Sequence, residues 1–382
     1  MRTIEGGWPR EAAIESTLPR HYYVDPTIFQ LELERIWLDT WLCAGRLDQL
    51  PHIGDFLTLE VGDESIVVIR NRSGNISAFY NICRHRGSRL CTAETGNLKN
   101  GMIRCPYHSW TYDSREGNLI VAPNVPEDSG LDKTRFSLFP LRVETWAGFI
   151  WINANANAQP MAECFGLPAS YVYYERYRVG ELGLGKLLTY EVNANWKIVM
   201  DNAYECFHCP HIHPEFSKCL SVFGPRLWLH AAMPESKVLK HAGGLEFAPG
   251  FQAMNIDGKS RRPTFHGLSE RDTKTSYFIY VYPQLFLGHM PDYAYCFAVW
   301  PIAVNKTKVR AYWLFAPEVM AREGFECSDA VEFWDITNLQ DLRASELTQL
   351  GNQSRMYRRG GVLVQSEWRV SQFQRYVLER LG

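Results

Sequence analysis

Two groups of residues have the types and spacing to do chemistry. The run CRHRGSRL supplies Cys83 and His85, and CPYHSW supplies Cys105 and His108. Nineteen residues separate His85 from Cys105. A thiolate and a neutral imidazole on each of two short loops suit zinc or an iron–sulfur cluster. Structural zinc more often draws on cysteines paired two to four residues apart, whereas each half here offers one Cys and one His. The second group lies in NWKIVMDNAYECFHCPHIHPEF, which holds Asp201, Glu205, His208, His211 and His213 within thirteen residues. Asp201, Glu205 and His208 fall at i, i+4 and i+7, which predicts one shared helix face. Pro210 and Pro214 predict a break that lets His213 turn back toward the same point. Two imidazoles and one carboxylate make a facial triad for Fe(II), with positions left open for O₂ and substrate. His211, one turn from His208, is the alternative second imidazole. Cys206 and Cys209 form a Cys-x-x-Cys that in isolation suggests redox or zinc chemistry. The reading adopted for them is two small buried packing residues.

With those residues in view, the first group resembles the Rieske family. In a Rieske [2Fe–2S] centre one iron keeps two thiolates and the other takes two imidazoles, which raises the potential. The resemblance assigns Cys83 and Cys105 to the inner iron and His85 and His108 to the exposed one. Gly87 and Pro106 are placed to shape the two loops, and TAETGNLKNG reads as a surface turn that lengthens the gap. The second group resembles the catalytic signature of Rieske non-haem iron oxygenase large (alpha) subunits: an acidic residue, two residues, His, four residues, His. It maps onto Glu205, His208 and His213. Glutamate at the first place, and HCPHIHPEF, look like the branch acting on choline, glycine betaine, carnitine and stachydrine. The family takes its carboxylate ligand from a late helix. The matching segment, FWDITNLQDLRASELTQLGNQSRMYRRGG, offers Asp341, with Asp335 and Glu346 as the alternatives.

The resemblance implies an α+β chain with three parts. These are a helical lead-in (1–44), an all-β Rieske domain (45–157) and a helix-grip, START-like catalytic domain with a curved antiparallel sheet (158–382). It implies a terminal oxygenase of EC class 1.14 that uses O₂, a Rieske cluster and a mononuclear Fe(II). Electrons come from NAD(P)H through a separate flavin/iron–sulfur reductase. Oxidative N-demethylation or hydroxylation of a quaternary or tertiary amine is the expected reaction. Aromatic-ring mono- or dioxygenation is the alternative, and a Rieske electron carrier without oxygenase chemistry the remote one. The resemblance further implies a homotrimer in which Glu205 bridges His208 of its own chain and His108 of a neighbour.

The elements that must hold these residues follow from pattern. Residues 27–43 have helical apolar spacing. From about residue 53, FLTLEV, SIVVIRN, ISAFYNI, MIRCPY, SWTYD and GFIWINA are short β-rich runs separated by turn signals. NANANAQPMA reads as a linker. Residues 275–316 give long strands carrying Tyr277, Phe278, Tyr280, Tyr282, Phe286, His289, Tyr293, Tyr295, Phe297 and Trp300, about half of them pointing inward. Two or three of these aromatics would wall the substrate pocket, and the last sixty residues read as helix. With 382 residues, 46% hydrophobic and 21% charged, the composition is that of a globular protein. A net charge of −2 gives no broad electrostatic case for nucleic acid or an anionic membrane. No eighteen-residue apolar run occurs. The opening MRTIEGGWPREAAIE has no apolar core, so a cytoplasmic location is expected, and the ten cysteines read as free thiols or metal ligands.

Overall fold

The computed structural model describes residues 15–221 and 235–382. The first fourteen residues of the expected lead-in lie outside the described residues. The chain divides into two units. One is Trp37–Ala158, and the other joins the described chain up to Ile36 to Gln159–Gly382.

The Trp37–Ala158 unit is built on strands. Its antiparallel sheet of seven runs in the order Leu42–Arg46, Phe149–Asn153, Pro140–Trp146, Ile76–Tyr80, Glu64–Arg70, Asp55–Val61 and Thr95–Asn97. A smaller sheet of three is formed by Met102–Arg104, Thr111–Asp113 and Leu119–Val121. Thr95–Asn97 pairs with Asp55–Leu57, so the expected surface turn contains an edge strand. Val67, Ile69, Phe79, Ile103 and Tyr112 pack into one core with Cys83 and Cys105.

The other unit centres on an antiparallel sheet of six: Gly183–Val192, Lys306–Phe315, Ala294–Ala303, Leu285–His289, Thr275–Val281 and Leu239–Glu246. Register shifts interrupt three of its pairings, and such bulges add twist and let a sheet curl. Every residue of Thr275–Val281 is buried, because both faces of this strand are covered. The long helix Ser328–Asn352 and the helices Trp196–Ala203 and Trp368–Leu381 belong to the same unit. The end of the chain is therefore not continuous helix, since Val362–Leu363 pairs as a strand with Glu15–Ser16. The predicted helix over 27–43 is also shorter. It spans Pro26–Glu32, passes into a wider turn at Leu33–Trp37, and Leu42 and Cys43 already belong to a strand. Helical and strand spacing coincide too closely in a short apolar run for pattern to separate them.

The lead-in is fastened to the helix Trp196–Ala203. Glu32 and Lys197 form a fully buried ion pair at 2.6 Å, and Trp196 Nε1 donates to Glu32 at 2.7 Å. Leu18 N donates to Gln374 at 3.0 Å, and Arg35 donates to the Leu381 carbonyl. Among the described residues no helix is long and apolar enough to cross a membrane.

Candidate metal centres

Each metal-type group sits where backbone geometry gathers it. In the strand-rich unit, Cys83 N donates to Ser88 O at 2.8 Å and Gly87 N donates to Cys83 O at 3.0 Å, closing a tight loop over 83–88. Gly87 needs its positive φ of 73° to make that turn. The second loop closes the same way: Cys105 N donates to Trp110 O at 2.8 Å and Ser109 N to Cys105 O at 3.1 Å. Cys83 and Cys105 are buried, and their thiols are hydrogen-bond neighbours. The imidazoles of His85 and His108 meet edge to face, with centroids 4.6 Å apart, and His85 stacks on Trp110. His85 is exposed and His108 half-buried, so thiols lie inside and imidazoles outside.

The environment suits a cluster with these ligands. Burial raises the Cys83 thiol, while the Tyr112 hydroxyl, 3.2 Å from its sulfur, works the other way. Burial also opposes ionisation of Cys105, but the backbone N–H groups of Tyr107 and His108 outweigh it and lower that thiol. Partial desolvation, with the charges of His85 and Arg86, lowers His108 and so favours the neutral, ligating imidazole. Two thiols within and two imidazoles without fit a [2Fe–2S] cluster of mixed ligation.

The second centre lies within the other unit. The helix Trp196–Ala203 is capped by Asn195, whose side chain accepts from Lys197 N, and it ends at Ala203. Glu205 and His208 therefore lie beyond it. The expected single face of Asp201, Glu205 and His208 does not form, because the Glu205 carboxylate instead accepts from the backbone N–H groups of Phe207 and His208 and turns the chain. Asp201 points elsewhere, accepting from Tyr23 Oη at 2.8 Å and Gln374 Nε2 at 3.0 Å. Pro210 and Pro214 do not break one helix. They stand at the starts of two short ones, Cys209–Ile212 and Pro214–Cys219, where a missing N–H costs nothing.

This turn brings His208 and His213 together with Asp341 from the helix Ser328–Asn352. Asp341 Oδ1 is 2.9 Å from His213 Nε2 and 3.2 Å from His208 Nε2. Both Nε2 atoms thus face one carboxylate oxygen, and the outer partners fix both rings. His208 Nδ1 contacts Glu205 Oε1. His213 Nδ1 is 2.7 Å from Gln340 Oε1, while Gln340 Nε2 donates to Glu215 Oε2 at 3.3 Å. A carboxylate only accepts, so the Gln340 amide nitrogen faces Glu215, its oxygen faces His213, and His213 Nδ1 is the donor. That tautomer leaves the Nε2 lone pair for a metal. Burial opposes charge on His208, but its hydrogen bonds to Asp341 and Glu205 outweigh burial and raise it to about 10. The same bonds from His208 and His213 overcome burial to hold Asp341 low. A cation seated between the rings would take the place of that proton.

Two alternative carboxylates are occupied elsewhere: Asp335 accepts from Tyr190 Oη at 2.7 Å, and Glu346 from Asn193. His211 is exposed, one turn away. Cys206 and Cys209 are not separate packing thiols. They are joined in a disulfide, their Cα atoms 4.9 Å apart across the turn that Glu205 shapes.

The triad opens into a cavity of about 820 Å³ of empty space, including its mouth. Phe278, Tyr280, Phe286, Phe297 and Trp334 form an aromatic wall, with Leu245, Val199 and Val309 beside them. Phe286 stacks between Phe278 and Phe297 at 5.2 and 5.1 Å. Tyr277 and His289 pack instead with Tyr173, Tyr174 and Tyr177, and Tyr171 Oη lies 2.9 Å from His289 Nε2. Strand alternation was expected to divide the aromatics in this way, but which ones reach the cavity required the fold. Among the described lining residues the charged groups other than histidine are Glu205 and Asp341, with no Lys or Arg. A second cavity is also lined by Glu205 and His208, together with Tyr23, Asp201, Glu367 and Gln374.

Comparison with known proteins matches the two parts of the chain to two families. The family described as Rieske [2Fe-2S] domain matches residues 40–145, and the one described as Ring hydroxylating alpha subunit (catalytic domain) matches 179–382. The chain is 31% identical to the glycine betaine monooxygenase oxygenase subunit of Pseudomonas aeruginosa, over 96% of this chain and 89% of that one. It is 30% identical to the carnitine monooxygenase oxygenase subunit of Escherichia coli, over 90% of this chain and 86% of that one. A crystal structure of the quaternary ammonium Rieske monooxygenase CntA with L-carnitine matches with a TM-score of 0.78 at 25% identity, over 100% of both chains.

Proposed function

The chain belongs to the Rieske oxygenase family of ring-hydroxylating alpha subunits, and from that premise we propose that it oxidises an N-methyl group of a small quaternary or tertiary amine. As the terminal oxygenase it works with a separate reductase. The observation that carries the substrate reading is the charge and shape of the cavity. An aromatic wall with two carboxylates and no Lys or Arg among its described residues suits a cation. Aromatic faces attract an alkylammonium by about 0.5–2 kcal/mol each, most when water is excluded.

Cys83, His85, Cys105 and His108 would hold the [2Fe–2S] cluster, and His208, His213 and Asp341 the mononuclear iron. When bound, these groups supply single electrons and the activation of O₂. The chain's own residues set the rest. Glu205 and Gln340 hold the two imidazoles in the ligating tautomer. The aromatic wall keeps water from the reacting carbon and orients the N-methyl group toward the triad. The net change is insertion of one oxygen atom into a C–H bond, with the other leaving as water after uptake of two electrons and two protons. The resulting N-hydroxymethyl group collapses to formaldehyde and the demethylated amine.

Glu205 lines both cavities, so it borders a second space besides the one that holds the full triad. In the proposed head-to-tail trimer that second space receives His108 of the neighbouring subunit, and the carboxylate bridges it to His208. Glu205→Ala should then weaken mononuclear iron binding, as loss of an outer partner of a ligating His does, and in samples reloaded to full mononuclear iron it should still slow reoxidation of the pre-reduced cluster by O₂ and substrate.

The test of the reaction is purified protein with reductase and NADH against a panel of methylated amines and arenes. Formaldehyde release matched to amine-dependent O₂ uptake is the expected result. A phenol or cis-diol from an arene, with no amine consumed, would replace this reading by ring hydroxylation, which the aromatic wall also accommodates by stacking.

A further inference from the structure

Cys206 and Cys209 are left unused by the reaction, and they bracket an iron ligand. Their disulfide closes a turn that contains Phe207 and His208. Cys209 Sγ lies 3.7 Å from His208 Nε2, the nitrogen that faces Asp341. The donor atoms of His208, Cys209 and His213 all fall within 4.8 Å of one another. Metal–nitrogen and metal–sulfur bonds of roughly 2.1 and 2.3 Å let two donors on one ion stand up to about 4.4 Å apart. The Cys209 sulfur is thus close enough to share a metal with His208. None of the other eight cysteines is in a disulfide. Cys209 is buried, while Cys206 is partly exposed beside the exposed Phe207, which gives a second thiol a way in.

We propose that Cys206 and Cys209 are a reversible thiol–disulfide pair that decides whether Cys209 becomes a fourth protein ligand of the mononuclear iron. The inference rests on the iron-site reading above. In the disulfide, both sulfurs are bonded to each other and the triad alone holds the metal. In the dithiol, Cys209 Sγ is no longer bonded to Cys206, and this soft donor stands within reach of an ion on His208 Nε2. A fourth protein ligand fills a position that O₂ and substrate otherwise use.

The chemistry balances with named reactants. Forming the S–S bond breaks two S–H bonds and gives up two electrons and two protons. Hydrogen peroxide, the two-electron product of O₂ reduction, takes them up and becomes two waters. Reversal needs a dithiol: its thiolate attacks Cys206 Sγ, Cys209 leaves as thiolate, and the second thiol resolves the mixed disulfide while the reductant becomes a disulfide. The pair would thereby open the iron site when peroxide is present and close it when dithiols prevail.

The experiment uses the holoenzyme with its iron content measured first; absence of mononuclear iron would refute the iron-site reading, not the switch. Samples are treated with hydrogen peroxide or with dithiothreitol, desalted, and returned to the ferrous state with ascorbate, which reduces Fe(III) and leaves disulfides intact. The peptide spanning 206–209 is then alkylated for mass spectrometry, and the ferrous site is examined by EPR of its nitric oxide adduct. Expected after peroxide are no alkylation and a nitrosyl signal. Expected after dithiothreitol are two alkyl groups, with loss or marked change of that signal and loss of turnover. Cys206→Ser should show one alkyl group and, without reductant, the nitrosyl change expected of the dithiol, and Cys209→Ser should show the open nitrosyl signal under both treatments, which also controls for chelation by the reagent. Two alkyl groups after peroxide as well as after dithiothreitol, or the same nitrosyl signal in both states of the wild type, would overturn the proposal.

Discussion

Gln340→Met tests whether the ring of His213 is held for metal binding from behind. The methionine keeps the volume of the side chain and removes the oxygen that accepts from His213 Nδ1 at 2.7 Å. His213 is 1% exposed, so no water can replace that acceptor without the packing giving way. A buried N–H left unpaired costs about 1–3 kcal/mol. Alternatively the proton moves to Nε2, and the ring loses the lone pair that should face the metal. Either way the penalty falls on the loaded state, and about 1–3 kcal/mol corresponds to roughly 5- to 150-fold in affinity. That range overlaps the 10–100-fold loss typical for removal of an outer partner of a ligating His. The assay is equilibrium dialysis of iron-depleted protein against Fe(II), with the cluster spectrum and thermal melting as controls. Wild-type iron affinity in Gln340→Met, with fold and cluster intact, would refute the argument and assign the orientation of His213 to packing against Phe216 alone.

Three further outcomes follow from the same geometry. Asp341→Ala should lower iron by about one per chain and leave the visible cluster spectrum in place, since a carboxylate is the only anionic ligand in the triad; metal analysis checks it, and the same loss in Asp335→Ala but not in Asp341→Ala would move the ligand. His108→Cys should change or abolish the Rieske EPR signal while mononuclear iron stays bound, because the outer iron trades an imidazole for a thiolate. Burial raises Asp201 to about 7, more than Tyr23, Gln374 and Lys197 lower it. The native state then holds a proton that the unfolded state has lost between about pH 4 and 7, so this residue's contribution destabilises the fold progressively as pH rises through that window. Melting of Asp201→Asn should therefore gain on the wild type from pH 5 to pH 8, and a constant difference would contradict the buried-acid reading.

What could be read in the sequence was what is local. Cys83, His85, Cys105 and His108 sit in two short runs, and each run closes on itself through backbone hydrogen bonds that its own Gly, Pro and Ser residues permit. Strand alternation likewise marked the sheet carrying Phe278, Tyr280, Phe286 and Phe297. Spacing alone could not bring Asp341 to His213 across 128 residues; the choice among Asp335, Asp341 and Glu346 leaned on resemblance, and the fold places only Asp341 against both imidazoles. The i, i+4, i+7 reading of Asp201, Glu205 and His208 failed because Glu205 bonds the following amides and stops the helix, a competition that period counting does not see. Gln340 was missed altogether. Its only signal was an amide next to a candidate carboxylate in a late helix, and its orientation depends on Glu215, which is remote in sequence. The Cys206–Cys209 bond was read as packing because Cys-x-x-Cys alone does not tell whether the turn brings the sulfurs together.

The fastening of the lead-in to Lys197, Gln374 and Leu381 has a consequence for how the protein is made. The strand-rich unit is an insertion: it is complete in sequence once residue 158 has been synthesised, with both of its metal-binding loops inside it. The stretch before it is not so fortunate, since Leu18, Glu32 and Arg35 have partners that emerge only later, the last at the end of the chain. Domains fold as they leave the ribosome, and at about 5–20 residues per second the remaining roughly 200 residues take roughly 10–45 s. Until residue 197 is made Glu32 lacks the lysine it is buried with, and until Asp341 is made the first unit can be folded and ready for cluster insertion while the second lacks a complete set of iron ligands. The order of synthesis thus makes the ligands of the electron-carrying centre available first, and those of the oxygen-activating centre only once Asp341 has been made.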